Sequence, residues 1–198
     1  MNIIPANQLD LGQAAAYRTA LLEALGVASS SGTNQDLVAR DLAASDFNNS
    51  SGNPKAISLF NFKITGPMTA SEWVKLYSGT VALNTSIGIM GYGQLVSAPV
   101  LDAIRFSLGG SVQGYIYALD PIYADTQVRI GYFDTPVLFQ PQQLIEIDLW
   151  SDEGLTNSTD TEDFALLGVT LEPVGINVGT FPIPAAVAAA LNATAQAA

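Results

Sequence analysis

A chain of 198 residues with no Cys and no His has no disulfides, no thiolate nucleophile and no imidazole base, and it lacks the ligands of the usual zinc and copper sites. Its 18 Asp and Glu against 7 Lys and Arg give a net charge of −11. The cations (Arg18, Arg40, Lys55, Lys63, Lys75, Arg105 and Arg129) are scattered, which argues against a surface that tracks nucleic-acid phosphates.

Charged residues make up only 13% of the chain, against ~25% in ordinary soluble domains. Hydrophobic residues make up 48% and the mean hydropathy is +0.28, yet no window approaches the ~18 consecutive apolar residues of a membrane span. A surface so poor in charge is expected to be covered by protein neighbours, without membrane insertion.

In chain order, "MNIIPANQLDLGQAAAY" has no basic stretch followed by an apolar core, so it does not read as a secretory signal, and synthesis in a cytoplasm is expected. "LDLGQAAAYRTALLEALG" sets Leu11, Ala14, Leu21, Leu22 and Leu25 at helical spacing, with Asp10 as cap and Gly26 as stop. Two Ser/Asn/Gly-rich loops bracket "DLVARDLA", which reads as a short helix or as an extended arm. Residues 1–54 thus form an N-terminal helix and arm.

From 55 to 178 the pattern is β. "AISLFNFKIT" aligns Phe60, Phe62 and Ile64, and "PVLDAIRFSL" aligns Val100, Ile104, Phe106 and Leu108 against Arg105 and Ser107. "GYIYAL", "TQVRIGYF", "QLIEIDLW" and "FALLGVTLEP" continue at short intervals, with Leu167 read as a buried position. Seven or eight strands between Gly, Pro, Asn and Asp turns predict a mainly β fold, a sandwich or barrel. One helix is expected inside it: in "TASEWVKLYSG", Thr69 and Glu72 have capping-box spacing and Gly79 ends the run. Bulges or a long loop are expected in "TVALNTSIGIMGYGQLV". Residues 179–198 are a Pro- and Ala-rich tail. Too poor in large apolar residues to build cores of their own, this tail and the N-terminal segment are expected to be held by contacts between subunits.

Candidate chemistry concentrates around "LIEIDLWSDEGLTNSTDTEDF". Asp152, Asp160, Glu162 and Asp163, with Glu153 nearby, offer the hard oxygens Ca²⁺ takes, but without EF-hand spacing; the plainer reading is a solvated connector on a sandwich rim, with no metal and no cofactor. Glu146 and Asp148 share a strand face at a separation compatible with paired-carboxylate hydrolysis, as on any strand with alternating polar residues. Trp150 with Tyr115 and Tyr117 would suit a sugar-stacking platform, unless these aromatics are core or interface. "GYGQ" and "LGGSVQG" match no phosphate-loop pattern, and no hydroxyl has a His to activate it, so the residues support no catalytic centre.

With its N-terminal arm, small-residue tail, low charge and long Ser/Asn/Gly loops, the chain resembles the jelly-roll capsid and capsid-decorating proteins of double-stranded DNA bacteriophages. The resemblance implies eight strands in two facing sheets, symmetric homo-oligomers (trimers foremost), location in the virion, and contacts with copies of itself and other virion proteins. It carries over no site residue. The alternative is a carbohydrate- or receptor-binding β-sandwich module of a virion or cell surface; a carboxylate hydrolase stands third.

Overall fold

The computed structural model describes residues 1–29, 37–47, 61–109, 114–123, 129–157 and 159–173. The strands are β1 (Ile3–Pro5), β2 (Leu37–Asp41), β3 (Phe62–Thr65), β4 (Glu72–Thr80), β5 (Ser86–Gln94), β6 (Ala103–Leu108), β7 (Tyr115–Ala118), β8 (Ile130–Phe139), β9 (Leu144–Ser151) and β10 (Thr161–Pro173). One antiparallel sheet runs β1-β8-β5-β10-β2, with β3 also on β10, and the other runs β4-β9-β6-β7. Without the two N-terminal strands, β3-β10-β5-β8 faces β4-β9-β6-β7. This is jelly-roll connectivity, in which two Greek keys fold over one another and every long strand is paired.

Alternation builds the core between the sheets. Ile145, Ile147 and Leu149 of β9 and Ile104 and Phe106 of β6 point inward against Phe62, Tyr92, Phe133, Val137 and Phe164, all buried. Within the larger sheet Phe164 stacks on Phe62 and on Tyr92 at 5.2 Å, and between the sheets Tyr117 stacks on Phe133 at 3.9 Å. Even-numbered residues of β10 face inward, so Leu166 is core while Leu167 lies half-buried on the outer side. The reading of Leu167 as buried is therefore off by one residue. The expected irregularity in β5 is a bulge at Met90, where the register jumps from Ile89 to Gly91.

The helix α1 spans Leu11–Ser29. Asp10 caps it, accepting from the Gln13 N–H at 2.7 Å while Gln13 Oε1 accepts from the Asp10 N–H at 3.0 Å, a reciprocal pairing that satisfies two end donors. Gly26 does not stop it. The helix lies on the outer face of the larger sheet, where Leu21 and Leu25 pack on Val169 and Leu171. Gly88 makes the approach possible: a Cβ there would stand 2.8 Å and 2.9 Å from the Cδ1 atoms of Leu21 and Leu25.

One further expectation is corrected and one open alternative is decided in favour of extended chain. Residues 69–79 hold no helix: Glu72–Thr80 is β4, because Trp73, Val74 and Tyr77 favour the pleated surface and the whole run pairs with β9. "LVARD" is strand β2, laid along the end of β10 beyond β3. The described N-terminal residues dock on their own chain: β1 extends β8, α1 covers the sheet, and Arg40 of β2 bonds both Asp46, at 2.5 Å, and Glu172, at 3.1 Å. That mostly buried ion cluster seals one end of β10. The tail 179–198 lies outside the described residues, as does Phe60. Among the described residues, no helix is long and apolar enough to cross a membrane.

Candidate functional site

The acidic connector sits at one end of the jelly roll. There it meets the β3–β4 and β5–β6 connections, through Met68 bridged to Leu155 and through the Asp152 N–H donating to Asp102 Oδ2 at 2.6 Å. Gly154, at φ +70, allows the tight turn, its Cβ position being 2.5 Å from the Met68 carbonyl. Its four candidate ligands do not converge. Asp152 accepts from the Trp150 indole at 2.8 Å; Asp160 folds back on its own loop, accepting from the Asn157 N–H at 2.8 Å; Asp163 is within 3.4 Å of Asn61 Nδ2. Glu162 points the other way, into the interior.

Glu162 is 1% exposed. Its Oε1 accepts from Gln94 Nε2 at 2.8 Å and from the Val100 N–H at 3.1 Å, and Gln94 in turn accepts from the Tyr92 hydroxyl. Burial raises its pKa above the ordinary carboxylate value, more than these hydrogen bonds lower it. Asp102 is raised too, by burial and then by the charges of Asp152, Asp120 and Glu153 crowded at this end. Among the described residues no group of acidic side chains is placed to hold a metal ion.

A more organised constellation lies on the outer face of the four-stranded sheet, where the registers set three rows across the strands. The first is Trp73–Trp150–Ala103–Ala118, the second Lys75–Asp148–Arg105–Ile116, and the third Ser78–Glu146–Ser107. The two indoles meet at 5.5 Å. Arg105 donates to Asp148 Oδ2 from Nε at 3.0 Å and from Nη2 at 2.9 Å, and its guanidinium reaches over the Trp73 ring at 4.4 Å. Lys75 pairs with Glu146.

This arrangement decides the sequence candidates. Glu146 and Asp148 do share the face, but each carboxylate is paired to a cation, which leaves neither as a free acid or base. Trp150 belongs to the face; Tyr117 does not, being fully buried against Phe133, and Tyr115 packs on the same inner side. The aromatic partner of Trp150 is instead Trp73, hidden at the sequence level by the helical reading of its segment. The two-residue alternation Trp73, Lys75 against Val74, Leu76 is the signal that identifies it.

No protein-family model and no curated protein matches the sequence. Among solved structures, the mosquito-larvicidal Cry4Aa toxin from Bacillus thuringiensis is similar over 69% of this chain and 23% of the toxin chain, at 17% identity and a TM-score of 0.29. The matched part is less than a quarter of the toxin, and a similarity this low carries no argument about function.

Proposed function

We propose that this protein is a structural subunit of a bacteriophage virion, a capsid or decoration protein that works by assembling with copies of itself and with other virion proteins. The observation that carries the reading is the jelly roll whose larger sheet is widened by its own N-terminal strands and covered by its own helix, while among the described residues no further element packs on the outer face of the smaller sheet. A chain with 13% charged residues and exposed apolar side chains at Leu83, Leu95, Ile116 and Ile130 fits a protein whose surface is partly interface. The work is mechanical, and no turnover is required of it.

The test is light scattering behind size exclusion, with electron microscopy of the same fractions. Oligomers that grow into regular particles, alone or on adding shell proteins of a candidate phage, are the expected result. A monomer at every concentration overturns the reading. A second reading, a glycan-binding module, is favoured by Trp73 lying beside Trp150; it requires a monomer whose tryptophan fluorescence changes on adding oligosaccharides.

A further inference from the structure

We infer that the outer face of the four-stranded sheet is a self-complementary contact between two copies of this chain, related by a two-fold axis parallel to the strands between β6 and β9. The inference rests on the assembly reading and names the surface that serves it. Such an axis exchanges β9 with β6 and β4 with β7, and sets each row against its own reversal. In the first row Trp150 then faces the partner's Ala103 and Trp73 the partner's Ala118, so large side chains meet small ones, as close packing requires. In the second, the Arg105–Asp148 pair faces the partner's same pair in reversed order, Arg105 being its more exposed member; the third row adds Glu146 but not Ser107, which is buried within its own chain. No like charges meet.

The alternative in-plane axis, perpendicular to the strands, sets each strand on its own copy. It would put Asp148 on Asp148 and Arg105 on Arg105, like charges juxtaposed across the contact. The charge pattern therefore selects the axis. Aligned sheets cross at about 30°, so the pairs beside the axis, Trp150 with Ala103 and Asp148 with Arg105, stay in register while the corners diverge.

Charge also favours a second copy over other occupants. Two acidic molecules of net −11 repel through most of their surfaces, but this face carries two cations and two carboxylates, already paired. A glycan needs open ring faces and free hydrogen-bonding forks; here Arg105 covers the Trp73 ring and the charged groups bond one another. Trp and Arg are the residues most enriched where interfaces derive their affinity. Eight residues of β9 and four strands make a face of about 26 Å by 19 Å. Two such faces bury roughly 1,000 Å², the lower bound for a specific interface, so the contact is weak alone and strengthens in a larger assembly.

Sedimentation velocity on the full chain from about 10 μM to 1 mM, the range in which an interface of this size associates, reads the contact. Wild type is expected to form even-numbered species. Ala103→Trp, on an outward position that folding does not need, should weaken association at least ~10-fold. Arg105→Glu and Asp148→Arg should each do the same, and the double swap should return to within ~3-fold of wild type, because it restores the pair within and between copies. Since the chain has no Cys, Ala103→Cys with a short bismaleimide should trap a covalent dimer. Folding of each variant is checked by its melting curve. Assembly that ignores Ala103→Trp and both charge reversals overturns the interface and leaves the shell reading standing. A wild type that stays monomeric overturns both, and a monomer whose tryptophan fluorescence shifts with chitohexaose or cellohexaose gives the face to a glycan.

Discussion

Glu162 shows how one residue changes role between the chain and the fold. In sequence it stands beside Asp160 and Asp163 as a candidate ligand, but a strand separates neighbours by face, and even-numbered positions of β10 turn inward. Its carboxylate is consequently buried without a cation, held by Gln94 and the Val100 N–H. Burial raises the folded-state value above the ordinary 4.5, so the folded protein binds this proton more tightly than the unfolded chain. Stability is then greatest below the ordinary value and falls as pH rises from there through the raised folded value. Glu162→Gln removes that slope. Urea midpoints measured from pH 4.5 to pH 8 should decline more steeply for wild type than for the variant, and parallel curves would refute the assignment. The same alternation was readable for Glu146, Asp148 and Trp150. Which cation each carboxylate meets was not, because Lys75 and Arg105 come from strands tens of residues away.

Elements were legible where period and caps agreed. The helix begins at the Asp10 cap, and β6, β9 and β10 lie where alternation puts them. β4 was misread because a bulge at Leu76 breaks its alternation just where Thr69 and Glu72 imitate a capping box. Pairing with β9 along the whole strand outweighs that local preference. β2 was ambiguous because five residues carry too little period to separate strand from helix. The docking of α1 has its own test. Leu25 is 1% exposed against Val169 and Leu171, and Leu25→Asp would bury an unpaired carboxylate, costing several kcal/mol. That exceeds what one helix gains from a small satellite cluster, so the helix should detach while the sandwich, with its separate core, stays folded. Trypsin should then cut after Arg18 much faster than in wild type, and strand circular dichroism should persist. An unchanged cleavage rate would mean that the helix is held by more than this leucine pair.

At the scale of the whole molecule the governing quantities are a net charge of −11 and an isoelectric point near 4.1. Composition alone makes burial by neighbours an expectation; the face proposed for it could be named only once strand order set Trp73, Lys75, Asp148 and Arg105 side by side. Long-range repulsion and the short-range pairs of that face respond differently to salt. Repulsion between two acidic copies acts across solvent and fades as the Debye length falls from about 30 Å at 0.01 M to about 8 Å at 0.15 M. Charge pairs enclosed between two sheets are screened much less. Association through the neutral face should therefore strengthen, by roughly 3- to 10-fold, as sodium chloride rises from ~0.02 M to ~0.2 M. Lowering the pH from 8 toward 5.5 should act in the same direction, because partial protonation of the raised carboxylates Asp102 and Glu162 reduces the net charge. Association that weakens steadily with salt, measured by sedimentation on wild type, would mean that exposed opposite charges drive assembly and that the copies meet through some other surface.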